Sequence, residues 1–162
     1  MVLLSFAFFL KNRSSPQKAR RTAIVESSGL FLFDLSLNEL NQLHDGNDQD
    51  RKTTDLIHLN GEIERLVDNN EDANVDPWEI TNGAKGYNSI SRHVVYVGGV
   101  VADGKTTKDT RTKAQRAAME SYVKEFHRKH PNVRIIGHRE VDAKDCPSFD
   151  VQVWLKEIGV IQ

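Results

Sequence analysis

The sequence predicts an α/β domain in which a mixed central β-sheet is flanked by helices. Two continuous apolar runs, HVVYVGG at 93–99 and VRIIGH at 133–138, are typical of strands buried on both faces of a sheet. The pair Asn60-Gly61 between two short alternating runs is a strong signal for a β-hairpin. A long amphipathic segment separates the two apolar runs, so strands and helices alternate along the chain.

The composition favours one soluble globular domain. The chain has 162 residues, 38% of them hydrophobic, and its 22 basic residues nearly balance 23 acidic ones, for a net charge of −1. This balance gives no reason to expect a nucleic-acid partner. Cys146 is the single cysteine, which excludes an intrachain disulfide and leaves a free thiol or a metal ligand.

Residues 1–21 are predicted to be an N-terminal appendage to a main domain over 22–162. The apolar start MVLLSFAFFL is too short to span a bilayer. Its basic residues follow the apolar run, the reverse of a secretory signal. A signal-like segment, a disordered start and an extra packing segment all remain open.

The first half of the main domain supplies a strand, a helix and the hairpin. TAIV at 22–25 is a β-branched run that predicts a buried strand ending at Glu26. Ser36 with Glu39 forms a capping box that predicts a helix start. Polar loops are expected at 45–52 and at 68–79, on either side of the hairpin.

The second half supplies two helices. Thr112 with Gln115 is a capping box that opens a helix to about His130. The apolar positions of that helix fall on one stripe: Ala118, Met119, Tyr122, Val123 and Phe126. Asp150 is the predicted cap of a last helix. Its apolar side consists of Val151, Trp154, Leu155 and Ile158.

The candidate site is the stretch GHREVDAKDCPSFD at 137–150, where Cys146 follows His138 by eight residues. His138 ends a predicted central strand, and the loop is long enough to bring Cys146 back over that strand end. Zinc binds a neutral imidazole and a thiolate together, and a catalytic zinc has three protein ligands and one open position. The spacing alone is a weak signal.

The surrounding residues resemble the zinc-dependent N-acetylmuramoyl-L-alanine amidases of the type 2 family, which includes phage amidase lysozymes and peptidoglycan recognition proteins. GHREVDAKDCPSFD is similar to the last motif of that family. The resemblance extends upstream through GAKGYNS at 83–89, then VVYVGG and DGKTTKDTRTKAQ, and covers 56–158 in order and spacing.

This resemblance implies an activity and a set of site residues. The expected reaction is hydrolysis of the amide between N-acetylmuramic acid and the L-alanine of the stem peptide by a Zn²⁺-activated water. His138 and Cys146 become zinc ligands, and Lys144 becomes a catalytic group that stabilises the oxyanion. Gly86, Tyr87 and Asn88 fall in the segment that lines the family's peptidoglycan groove, although Tyr87 can equally serve to hold its loop.

Two family motifs are altered. The third ligand, a histidine at the end of the first strand, is replaced by Glu26, which can bind zinc. This ligand adds negative charge and is expected to slow the chemistry. Thr53 and Thr54 replace a Tyr-His pair and cannot do its work. Either the chain is a diverged amidase with altered or lost activity, or its N-terminal sequence is not that of a working relative.

Other functions remain alternatives. The first is a catalytically impaired module that binds muropeptide. The second is a thiol enzyme using Cys146 with His138. The third is a protein that restrains a polymerase, as some phage relatives do. A monomer without a stable membrane span is expected. The sequence leaves localisation open, since a wall hydrolase can act after export or remain in the cytoplasm until lysis.

Overall fold

The computed structural model describes residues 53–72, 74–103 and 105–162 in full, and the backbone of two short strands before them. These strands are β1 (Phe8–Phe9) and β2 (Thr22–Ser27). The other strands are β3 (Asp55–Ile57), β4 (Ile63–Arg65), β5 (His93–Tyr96) and β6 (Arg134–Gly137). The helix predicted after Ser36 and the loop at 45–52 lie outside the described residues.

The described strands form one mixed sheet in the order β1-β6-β2-β5-β3-β4. The four inner strands β6, β2, β5 and β3 are parallel, and the edge strands β1 and β4 are antiparallel to their neighbours. The predicted fold class is confirmed. Pairing of β1 with β6 also places two residues of the 1–21 segment in the sheet.

The predicted hairpin is confirmed between β3 and β4. Gly61 has φ of +86°, a left-handed conformation that glycine adopts without steric cost. The amide of Gly61 donates to the carbonyl of His58 at 2.9 Å, and that of His58 donates to Glu62. The pairing runs only from Asp55 with Arg65 to Ile57 with Ile63. The strands are therefore shorter than the alternating runs of the sequence.

Helix α1 (Lys113–Lys129) packs on one face of the sheet. Its predicted capping box is present, since Thr112 Oγ1 accepts from the Gln115 amide at 3.0 Å. Helix α2 (Val151–Glu157) is capped by Asp150, as predicted, and packs on the same core. That core joins the helices to the strands through the following buried residues: Ile57, Val94, Tyr96, Met119, Val123, Val151, Trp154 and Leu155.

The other face of the sheet carries two smaller clusters. Leu56, Val95 and Val97 form one of them. Ile136 forms the other with Ala84, and Tyr87 packs against it. This second cluster attaches the segment before β5 to the strand that ends beside His138. Within the described ranges, no helix is long and apolar enough to cross a membrane.

Candidate active site

His138 enters the interior where β6 ends. It opens a 3-10 turn, His138–Glu140, and its side chain is only 1% exposed. The amides of Val141 and Asp142 both donate to the His138 carbonyl, at 2.9 and 3.0 Å. The strand therefore turns sharply at this residue and leaves the imidazole under the following loop.

Cys146 returns to the same strand end, as the sequence predicted. The amide of Arg139 donates to the carbonyl of Cys146 at 2.6 Å. On the other side of His138, a Cβ at Gly137 would lie 2.9 Å from Cδ of Pro147. Both neighbours of His138 thus contact Cys146-Pro147, and the thiol is fully buried. Glycine at 137 is what permits this approach.

The loop that carries the thiol is fastened to the turn after β5. Ser148 Oγ donates to the Gly99 carbonyl at 2.5 Å. The carboxylate of Asp145 accepts from Thr107 and pairs with Arg139. Gly98 has φ of +138°, and a Cβ there would lie 2.5 Å from Thr110 Oγ1. The VGG motif thus provides the tight turn on which this loop rests.

Lys144 lies beside His138 and is linked to it by a carboxylate. Its ammonium lies 3.0 Å from Oδ2 of Asp142. The same oxygen lies 3.3 Å from Nε2 of His138. Lys144 is half-exposed, so its charge faces the surface of the site. Sequence reasoning missed Asp142, although its position four residues after a histidine that opens a turn was a usable signal.

Burial dominates the electrostatics of both histidines on this side of the sheet. It lowers the pKa of His138 to about 4, with the Lys144 ammonium acting in the same direction and Asp142 opposing it. Burial also lowers the pKa of His93 to about 3, with a smaller contribution from His138. Both imidazoles are therefore neutral at neutral pH.

Glu26 lies on the central strand next to β6. In the parallel register Val25 pairs with Gly137, and Glu26 pairs with Val95 of β5. Glu26 directly follows the Val25–Gly137 pair on β2, as His138 directly follows it on β6. Both residues therefore lie at the carboxyl ends of the parallel strands. Its side chain lies outside the described part of the structure, so its role as a ligand stays a prediction.

A metal site fits the described donors only in part. His138 and Cys146 supply an imidazole and a thiol, both buried and both suited to zinc. Among side chains in the described residues, no group of three or more His, Cys, Asp or Glu could hold a metal ion. A zinc site with three protein ligands would need a further donor from outside that part, and the sequence predicts Glu26 for this role.

Thr53 and Thr54 are buried and hydrogen-bonded to β5. Thr53 Oγ1 donates to the carbonyl of His93 at 2.8 Å. Thr54 Oγ1 accepts from the His93 amide at 3.3 Å. Both hydroxyls therefore fix the backbone of His93, and the expectation that neither takes over a tyrosine's role stays a prediction.

Gly86, Tyr87 and Asn88 belong to a compact turn at 84–88 that lies against β6. Gly86 is exposed with φ of +83°. Tyr87 is half-buried against Ile136, two residues before His138. The side-chain oxygen Oδ1 of Asn88 accepts from the Ala84 amide at 3.0 Å, so this side chain shapes the turn itself. The segment is thus placed next to the strand that carries His138.

His58 and His130, two further histidines of the described ranges, have structural contacts. His58 Nε2 lies 2.9 Å from Glu64 Oε2 across the hairpin. His130 is the C-cap of α1, and its side chain contacts the Glu71 carbonyl at 3.0 Å. His44 lies outside the described residues.

A mixed sheet with a buried imidazole and thiol at the end of a parallel strand defines a class of α/β domain with its site at the strand ends. Residues 32–149 match the family model for N-acetylmuramoyl-L-alanine amidase. This match covers most of the chain, which therefore belongs to the N-acetylmuramoyl-L-alanine amidase family.

Curated relatives agree with this membership. An endolysin of Enterobacteria phage K11 is 36% identical over 55% of this chain and 58% of its own length. The endolysin of Escherichia phage T7 is 34% identical, over 54% and 57%. An uncharacterized protein of Haemophilus influenzae is 33% identical, over 51% of this chain and 83% of that protein. The chain spans little more than half the length of the endolysins it matches.

Replacing Gly137 by alanine is expected to displace the Cys146 loop, because the new Cβ would lie 2.9 Å from Pro147. The buried thiol should then react roughly tenfold faster with a disulfide reagent, since thiol reactivity follows exposure. Gly159→Ala is the control for general backbone strain. Gly159 has φ of +73° with no atom within 4 Å of its Cβ position, so its substitution strains the chain without touching the Cys146 loop. Equal rates in both variants would contradict the proposed contact.

Stability is expected to fall below neutral pH in the presence of a chelator. The folded pKa of His138 is about 4 and that of His93 about 3, below the unfolded value. The unfolded chain therefore binds more protons as the pH drops through about 6.5, and each histidine costs about 1.4 kcal/mol per pH unit. Urea unfolding from pH 7.5 to 5 measures this slope, and His138→Gln should reduce it.

Proposed function

We propose that this chain is a zinc-dependent peptidoglycan hydrolase that cleaves the amide between N-acetylmuramic acid and L-alanine of the stem peptide. The observation that carries the proposal is the joint burial of His138 and Cys146 at one strand end. Family membership supports the reaction, and the endolysin relatives support a substrate in the cell wall.

His138, Cys146 and Glu26 would hold the metal. When bound there, zinc supplies a Lewis acid and lowers the pKa of a coordinated water toward neutrality. The neutral imidazole of His138 is in the form that ligation requires. The Glu26 carboxylate adds a negative charge beside the thiolate, which makes slower hydrolysis the expectation for this chain.

Lys144 would supply a cation for the developing oxyanion. As water adds to the amide carbonyl, negative charge accumulates on its oxygen, and an ammonium at the edge of the site stabilises that charge. Asp142 orients the lysine through its 3.0 Å ion pair. The L-alanine nitrogen must gain a proton as it leaves. Because Thr53 and Thr54 are engaged with His93, that proton falls to Lys144 or to solvent.

The turn at 84–88 would contact the muropeptide. Tyr87 packs against Ile136 and is only half-buried, so part of its aromatic side chain is exposed where sugar or peptide could contact it. Gly86 lets the backbone turn outward beside it. Tyr87 and Gly86 therefore form one wall of the proposed groove.

A muropeptide-binding module without hydrolysis is the second candidate. It is favoured by the two threonine hydroxyls, which hold His93 where the family carries a Tyr-His pair. In this case the groove would bind substrate while the chemistry lacks its proton-transfer partner.

Dye release from purified peptidoglycan, with and without added Zn²⁺, tests the hydrolase. We expect zinc-dependent release of soluble fragments that carry free L-alanine amino groups, and a bound zinc content near one per chain. Glu26→Ala and Cys146→Ser should each lose most of the bound metal, since a site with two protein ligands holds zinc weakly. Binding to peptidoglycan without release at any pH would establish the second candidate instead.

Lys144→Ala is expected to lower kcat about 100- to 1,000-fold, the usual loss for one oxyanion-stabilising group. Lys144→Arg keeps a cation and should retain more of the activity. Lys156→Ala, at an exposed position in α2, is the control and should match the wild type. Measured zinc content should stay unchanged in all three, so a loss of metal in Lys144→Ala would contradict a role in charge stabilisation.

A further inference from the structure

The proposed chemistry does not use His93, although this residue is fully buried beside the site. Ile24 of β2 pairs with His93 on one side and with Ile136 on the other. His93 and Ile136 therefore lie at the same level of the sheet, and neighbouring residues at one level of parallel strands point to the same face. This is the face on which Tyr87 packs.

The hydrogen bonds around Ser91 fix which nitrogen of His93 carries a proton. Ser91 Oγ lies 2.5 Å from the carbonyl oxygen of Tyr87 and 3.1 Å from Nε2 of His93. A carbonyl only accepts, so the single hydroxyl proton of Ser91 is donated to Tyr87. Ser91 must then accept from His93, which places a proton on Nε2.

The backbone of His93 is held from the neighbouring strand. Its carbonyl accepts from Thr53 Oγ1 at 2.8 Å and from the Thr54 amide at 2.6 Å. Its own amide donates to Thr54 Oγ1 at 3.3 Å. The imidazole thus projects from a rigid base, and Ser91 transmits its position to the Tyr87 carbonyl.

We propose that His93 is a positioning residue for substrate, acting through Ser91 to hold the turn at 84–88 against β6. This inference rests on the proposed function, because it assigns a purpose to the groove wall formed by Tyr87. Burying a polar side chain such as His93 or Ser91 costs free energy unless it is hydrogen-bonded. The hydrogen bonds from His93 through Ser91 to Tyr87 offset that cost, and they hold the turn in one position.

The effect should fall on substrate binding and leave the chemical step unchanged. The Tyr87 carbonyl also accepts from the Ile90 amide at 3.0 Å, so the turn persists without Ser91 but loses one restraint. Lys144 and Cys146 keep their own contacts with Asp142 and Arg139. Loss of the chain is therefore expected to raise KM with kcat nearly constant.

Two amide substitutions that differ only in length test the proposal. The Gln nitrogen in His93→Gln reaches about as far as imidazole Nε2, whereas the Asn nitrogen in His93→Asn reaches only as far as Nδ1. We expect His93→Asn to raise KM for muropeptide about fivefold, the effect of one net hydrogen bond. His93→Gln should stay within about twofold of wild type. Equal KM in both variants, or a fall in kcat alone, would overturn the proposal.

Ser91→Ala provides a second route if His93→Asn does not fold, and it should give the same rise in KM. Proton-nitrogen NMR of the wild-type imidazole should show the proton on Nε2, and amide exchange at 84–88 should quicken in both Ser91→Ala and His93→Asn. A proton on Nδ1, or unchanged exchange, would refute the hydrogen-bond chain.

These NMR measurements separate the two proposals. If the wild type neither cleaves nor binds muropeptide, the proposed function fails, and with it the substrate role of His93. The tautomer and the exchange rates would still decide whether the chain orders the turn. If the wild type is active and both NMR results are as expected, an unchanged KM in Ser91→Ala would refute the positioning role alone.

Discussion

The close contact between the end of β6 and the Cys146-Pro147 peptide is the constraint on which the site depends. Gly137 leaves room for Pro147, and the Arg139 amide holds the Cys146 carbonyl at 2.6 Å. A strand end and the loop that follows it in sequence thereby bury an imidazole and a thiol at the same end of the strand. The residues between them have to bulge outward, and this exposes Lys144 and Asp142 at the rim.

The parallel strands set the level at which the other candidate groups lie. β2 runs between β5 and β6. Its register pairs Glu26 with Val95 of β5, and pairs the preceding residue, Val25, with Gly137 at the end of β6. Strand ends of a parallel sheet collect functional groups because the loops leave from the same edge. The helices pack on the opposite face, where their apolar stripes cover Val94 and Tyr96. On the site face, the described ranges contribute the turn at 84–88 against β6 and the apolar cluster around Val95.

Elements with local signals could be predicted from sequence, whereas contacts set by register could not. The Thr112 and Asp150 caps and the Asn60-Gly61 hairpin depend on residues within a few positions of each other, and all three are confirmed. The return of Cys146 was predicted from loop length and motif. The hold of Thr53 and Thr54 on His93 joins residues about 40 positions apart. His93 is the first residue of an apolar run, and no local pattern predicts the contact of its side chain with Ser91.

Burial gives the candidate ligand the protonation state that its role requires. A histidine binds a metal only as the neutral imidazole, and an exposed histidine loses that form as the pH drops below about 6.5. With its pKa lowered to about 4, His138 stays neutral well into the acid range. The same desolvation makes protonation favour the unfolded chain, so the burial that keeps this imidazole neutral also limits stability in acid. Zinc bound here as proposed would offset this limit, because it would occupy the lone pair that a proton otherwise takes.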